Sequence, residues 1–149
     1  MKVINSRAKF DYELGERIEA GVALTGAEAK SAKLGQIDMG AAYVKIRSSE
    51  FKGQKEAWVF NLKIFPYKYA DNAKYDPTRV RKLLLHQREI LALESKMKQS
   101  RRVLVPTAMY IRSDRVKIEI ALARGKRKYE KRESIKKRDI DREEKRLAK

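Results

Sequence analysis

From Tyr12 to Leu24 the apolar side chains fall on even positions: Tyr12, Leu14, Ile18, Ala20, Val22 and Leu24, with mostly polar residues between them. A period of two belongs to a strand with one face on a core, and a helix does not satisfy it. Gly15 and Gly21 lie inside this run and permit a bend or bulge. The same alternation returns near the other end, where Val116, Ile118, Ile120 and Leu122 oppose Lys117 and Glu119. A tight turn, Ser113-Asp114-Arg115, links that strand to a run from Val103 to Ile111. Two further strand-like runs, Ala42–Arg47 and Ala57–Ile64, flank a polar turn at Ser48–Lys55.

Helical signals are fewer. Thr25-Gly26-Ala27-Glu28 fits a capping box and predicts a short helix from Gly26 to Lys33, ending at Gly35. A second helix is expected after His86, with Glu89 three residues on and Ile90, Leu93 and Met97 on its buried face. Between them, Phe65 to Arg81 reads as a long loop carrying Pro66 and Pro77. Loops of that length are often functional. About five strands and two helices predict a mainly β fold with flanking helices, a small closed sheet rather than a parallel one, because barrel closure disposes of exposed strand edges.

The composition changes at Gly125. Residues 1–124 carry enough apolar side chains for one core and are expected to form the barrel domain. Residues 125–149 hold 12 basic and 6 acidic side chains, with Tyr129, Ile135, Ile140 and Leu147 as their only large apolar groups. Such a tail cannot bury enough surface to offset its ordering entropy. Acid-before-base pairs, Glu133 with Lys137 and Asp141 with Lys145, nonetheless favour a helix. The expectation is a tail disordered when free and helical on a partner; a solvated charged terminus is the plainer alternative.

The formal net charge of +17 calls for a polyanion. No amphipathic basic helix with a broad apolar face appears, which favours nucleic acid over a membrane surface. The absence of cysteine excludes disulfides and thiolate metal sites and permits a reducing, cytoplasmic setting. No apolar leader and no membrane-length apolar stretch is expected from this sequence.

Catalysis is not expected. The single histidine, His86, has no evident partner for acid–base work and reads as a helix cap. Neither a zinc pattern nor a phosphate-cradling glycine loop is present, so no metal and no cofactor is predicted. Cations and stacking faces do cluster: Arg79, Arg81 and Lys82 follow Tyr67, Tyr69 and Tyr75. Tyr129, inside Lys126-Arg127-Lys128-Tyr129-Glu130-Lys131-Arg132, has no core of its own to enter. Stacking on a base or packing against the last strand would each account for it.

Taken together, several segments resemble the SsrA-binding protein family (small protein B), the partner of transfer-messenger RNA. They are Asn5-Ser6-Arg7-Ala8 with Tyr12; Glu19 through Gly26; Glu28-Ala29-Lys30-Ser31; Pro66-Tyr67; Arg79 through His86; and Ala123-Arg124-Gly125-Lys126. The resemblance implies an OB-like (oligonucleotide-binding-type) closed antiparallel β-barrel that grips the tRNA-like domain of that RNA. It also implies a basic tail that enters a stalled ribosome, occupying the 16S rRNA decoding centre and the empty mRNA path. Alanyl-tRNA synthetase and elongation factor Tu would be indirect partners through the RNA. By matching position, Asn5, Glu19, Lys117 and Leu84 fall on the implied RNA surface. Arg7 and Lys30, within matching stretches, and the cluster Arg79, Arg81 and Lys82 complete the candidate set. Lys126, Tyr129, Lys131 and Arg132 match the tail positions at the decoding centre. The chain departs from the family pattern at Glu130, where Asp is commoner, and in the Ser48–Lys55 turn.

Overall fold

The computed structural model describes residues 1–50, 53–126 and 132. The elements run β1 (Lys2–Ile4), α1 (Ser6–Asp11), β2 (Tyr12–Val22), α2 (Gly26–Lys33), β3 (Ile37–Asp38) and β4 (Tyr43–Ser48). Then follow β5 (Lys55–Phe60), β6 (Lys63–Ile64), β7 (Arg81–Leu84), α3 (Gln87–Ser100), β8 (Val103–Arg112) and β9 (Arg115–Gly125). The larger sheet has the order β1-β8-β4-β5-β7-β2-β9, and β9 pairs back onto β8. Six strands thus close into an antiparallel ring with β1 added outside β8, the closed arrangement expected from the pattern. Inside it pack Val22, Val44, Val59, Leu83, Leu104, Met109, Ile118 and Ile120, each buried. Ile90 and Leu93 of α3, 3% and 5% exposed, join the same core. Burial of side chains this size contributes roughly 1.5–3 kcal/mol apiece.

Most strand expectations hold with shifted ends. The long run becomes β2, whose pairing with β9 slips between Leu14 and Arg17, around Gly15. A Cβ on Gly15 would come within 3.2 Å of the Leu122 carbonyl oxygen and 2.8 Å of an Arg102 nitrogen, so glycine permits the bulge. The β8–β9 hairpin turns through Ser113 and Asp114, both at positive φ (51° and 60°), the backbone that matches strand twist. α2 carries the full capping box: Glu28 N–H donates to Thr25 Oγ1 at 3.2 Å, and Thr25 N–H to Glu28 Oε1 at 3.0 Å. At α3 the reciprocal bond is made by Glu89, whose Oε1 accepts from His86 N–H at 3.1 Å.

Three expectations need correction. The predicted Ala57–Ile64 strand is two strands, because Asn61 adopts a left-handed φ of 58° and ends the first. The second, β6, turns away to pair with β3. The predicted loop ends earlier, since Arg81 opens β7, a four-residue strand between β5 and β2 that closes the ring. β1 and α1 were not predicted; three and six residues long, they take their order from tertiary contacts. β9 also runs through Gly125, one residue past the composition break, and Lys126 N–H donates to the Asp11 carbonyl at 2.9 Å.

Candidate nucleic-acid interface

Strand register decides what lies on the outside of the ring. Tyr110 on β8 pairs with Lys117 on β9, Lys117 with Gly21 on β2, and Gly21 with Leu84 on β7. These four positions form one row across the outer surface. Gly21 has no side chain, and Leu84 packs against its backbone: a Cβ there would meet Leu84 atoms at 3.2–3.6 Å. The result is a groove of about 590 Å³ lined by Glu19, Gly21, Lys55, Glu56, Lys82, Leu84, Lys117 and the start of α3. It gathers four of the residues expected at an RNA surface: Glu19, Lys82, Leu84 and Lys117. Leu84 is 56% exposed within it, an apolar side chain that the fold leaves in water.

Glu19 is held rather than loose. Its Oε2 accepts from the Tyr110 hydroxyl and from Arg112 Nη1, the latter at 2.9 Å. The Tyr110 hydrogen bond and then Arg112 hold its carboxyl below the ordinary value. Burial and the Glu19 bond push the Tyr110 hydroxyl up to about 12, so it stays a donor. On the neighbouring pair of strands Glu119 accepts from Thr107 Oγ1 at 2.8 Å and from Arg17 at 3.1 Å. The carboxylates facing this surface are therefore oriented acceptors, able to receive hydrogen bonds from base amino and imino groups while lysines meet phosphate.

The other expected residues separate. Arg81 is fully buried and Asn5 is 5% exposed, so neither side chain presents its polar atoms to a partner. For Arg81 the expectation from the basic cluster is corrected: its Nε donates to Glu28 Oε2 at 2.8 Å, and its Nη1 to the Leu62 carbonyl at 2.6 Å. Arg79 reaches the same acid, Nη2 to Glu28 Oε1 at 2.5 Å, and keeps part of its surface exposed. Burial pushes the Glu28 carboxyl up, but the Arg79 bond, the Thr25 amide and Arg81 outweigh it and leave it at about 2. Tyr75 belongs to this interior set too, its hydroxyl donating to the Ile64 carbonyl at 2.8 Å.

Asn5 caps α1 by accepting from Ala8 N–H at 3.1 Å, and its amide donates to the Met39 and Pro106 carbonyls. Its role is to seat α1 on β8. Arg7 is exposed on α1, beside Asp11 at 3.5 Å, at the rim of a separate, mainly apolar hollow of about 790 Å³. Lys30 is exposed on α2 with its ammonium 5.7 Å from the centre of the Tyr67 ring, and Tyr69 is 78% exposed. Lys126 donates from its ammonium to the Lys9 carbonyl at 3.0 Å, near the end of α1. Arg132 is exposed. Tyr129 and Lys131, and with them the expected helical tail, lie outside the described residues.

Sequence reasoning missed the outward residues of β4 and β5. Tyr43 and Phe60 face each other in register, with ring centroids 5.3 Å apart and planes 7° from parallel. Their alternation with buried Val44 and Val59 was a usable signal. Among the described residues, no cluster of three or more His, Cys, Asp and Glu is placed to hold a metal ion, and no helix is long and apolar enough to cross a membrane.

A closed antiparallel ring with a groove of lysines and fixed acceptors on its outer face defines the class: an OB-type β-barrel. The family described as SmpB protein matches residues 2–149. The SsrA-binding proteins of Persephonella marina and Sulfurihydrogenibium sp. are each 45% identical over 139 residues, 93% of this chain and 88% of theirs. A chain from a solved structure described as "tmRNA-SmpB: a journey to the center of the bacterial ribosome" is 37% identical. It superposes with a TM-score of 0.67 over 90% of this chain and 94% of that one. The protein belongs to the SmpB family of SsrA-binding proteins.

Proposed function

We propose that this protein binds the tRNA-like domain of transfer-messenger RNA and delivers it to stalled ribosomes, acting as an adaptor in ribosome rescue without catalysing a reaction. The observation that carries the reading is the groove itself. Register alone brings Lys117, Leu84, Lys82 and Glu19 from three strands onto one face. The lysines supply the sequence-independent attraction to phosphate, and the held Glu19 supplies an acceptor that prefers a particular base edge. The exposed Leu84, seated on Gly21, suits a folded RNA surface with an unstacked base, as at a loop–loop elbow. Arg7, Lys30 and Arg79 add positive charge on other parts of the surface, Arg7 at the rim of the separate hollow.

The tail has a different task. With 12 cations against 6 acids, its composition suits a polyanionic partner such as rRNA. Lys126, Tyr129, Lys131 and Arg132 engage the decoding centre, and the rest follows the empty mRNA path. Contact with alanyl-tRNA synthetase and elongation factor Tu is indirect, through the RNA. The work is done in the cytoplasm.

Truncation after Lys126 tests the division. The shortened protein is expected to bind the isolated tRNA-like domain within about threefold of the full chain, a change well below 1.4 kcal/mol. It is expected to abolish peptide tagging on ribosomes stalled in a reconstituted translation system. A truncation that loses RNA affinity and tagging together refutes the separation of roles.

A further inference from the structure

Beside the groove lies a second outward surface with a chemistry of its own. Across β4, β5 and β7 the register places Lys45 opposite Trp58 and Trp58 opposite Lys82, on the same outward row. Two residues along, Tyr43 and Phe60 stack nearly parallel, and the Arg47 guanidinium lies 4.5 Å from the Phe60 centroid. Lys45 sits over both rings, at 5.6 Å and 6.0 Å. Planar groups therefore form a ladder, Tyr43–Phe60–Arg47, on the outside of the ring. Glu56, on the outward row of β5, is taken by Lys82 at 3.4 Å and by Trp58 Nε1 at 3.2 Å. Neither Lys45 nor Arg47 forms an ion pair among the described residues.

Ring stacking and cation–π contacts stabilise this pair of strands, yet they leave ring faces half exposed and the charges of Lys45 and Arg47 without a counter-ion among the described residues. The combination is matched by a ligand that is at once planar and anionic. We propose that the outward face of β4 and β5 is a second RNA contact, specific for an unpaired strand. An unstacked base extends the ladder by lying on the Arg47 guanidinium or the Tyr43 ring, and Lys45 meets the adjacent phosphate. A duplex does not fit, because its bases are already stacked on one another. An acidic protein would satisfy the charge but not the parallel rings. This surface continues past Lys82 into the groove, so a strand leaving a folded RNA bound there passes directly over it.

The test uses the full-length protein and two probes, a fluorescein-labelled oligouridylate and an unmodified tRNA transcript, read by anisotropy at fixed salt. Arg47→Ala and Tyr43→Leu are expected to weaken oligouridylate binding by about tenfold each. Both should change tRNA binding by less than about twofold. Lys45→Ala, a fully surface change, is expected to lower oligouridylate affinity and to reduce the salt slope by about one unit for each phosphate it no longer neutralises. Lys117→Ala should do the reverse, weakening tRNA and sparing the single strand, so failure of the groove and failure of this face are read separately. Unchanged oligouridylate binding in Arg47→Ala and Lys45→Ala, which need no repacking, overturns the proposal. So does competition by polyglutamate as effective as competition by unlabelled oligouridylate.

Discussion

Arg81 and Glu28, 53 residues apart, meet inside the protein with neither side chain exposed to solvent. One opens β7, the strand that completes the ring; the other sits in the first turn of α2. Their contact ties the ring's shortest closing strand to a helix outside it, and Arg79 and Tyr75 fasten the long loop to the same point. A buried pair of this kind contributes little net stability against apolar replacements, but losing one partner leaves the other charge stranded.

Glu28→Ala is therefore expected to destabilise the protein by about 3–5 kcal/mol, since Arg81 remains buried without its counter-ion. Arg81→Met, which removes the stranded charge together with its side-chain donors, should cost less per partner when combined with Glu28→Gln than the two single changes predict. Urea unfolding of the four proteins measures this. Additive costs would mean that the two residues act independently.

The same pair sets an acid limit. The Glu28 carboxyl lies at about 2 in the folded protein against an ordinary 4.5. A depressed carboxylate stabilises the fold above its unfolded value, and that stabilisation is lost as pH falls through the folded one. The loss should fall between about pH 5 and pH 2, on the order of 3 kcal/mol in total. Urea midpoints taken across that range report it, and Glu28→Gln should flatten the profile. An equally steep profile in the variant would assign the acid sensitivity elsewhere.

Gly21 is expected to matter for RNA more than for folding. A Cβ there would press on Leu84 Cβ at 3.2 Å and Cδ1 at 3.3 Å, so Gly21→Ala shifts Leu84 by a few tenths of an ångström, and a melting curve of the variant separates that packing cost from its effect on RNA. Affinity for tRNA-shaped RNA should fall by roughly tenfold, equivalent to 1.4 kcal/mol. Full affinity in the well-folded variant would place the RNA elsewhere on the surface.

Association should be steeply salt dependent. If the barrel neutralises about six phosphates, log affinity falls with log salt at a slope of about −4 to −5. Filter binding across a salt series measures it. A slope near zero would remove phosphate attraction as the leading contribution.

Glu19→Gln should trade selectivity for bulk attraction. It weakens the hold on Arg112 by removing the charge, and replaces one of the two carboxylate acceptor oxygens with a donor. Binding to arbitrary duplex RNA should strengthen, with a salt slope larger by about one, while preference for tRNA-shaped RNA declines. Comparing the two RNAs on one variant checks both halves.

The amino-acid order alone determined the alternating strands, the capping box at Thr25, the turn at Ser113 and Asp114, the amphipathic α3 and the charged composition past Gly125. Each is a local pattern whose physics acts within a few residues. Asn61 was not legible, because a left-handed residue in the middle of an apolar run leaves no mark on periodicity. Nor was β7, whose four residues open with an arginine that no solvent reaches. Tertiary structure decided which cations face outward: Arg79, Arg81 and Lys82 are near neighbours in the chain, yet one is buried, one braces the interior and one lines the groove. Only pairing between distant strands sets that, because register, and not composition, fixes the side of the sheet on which a side chain stands.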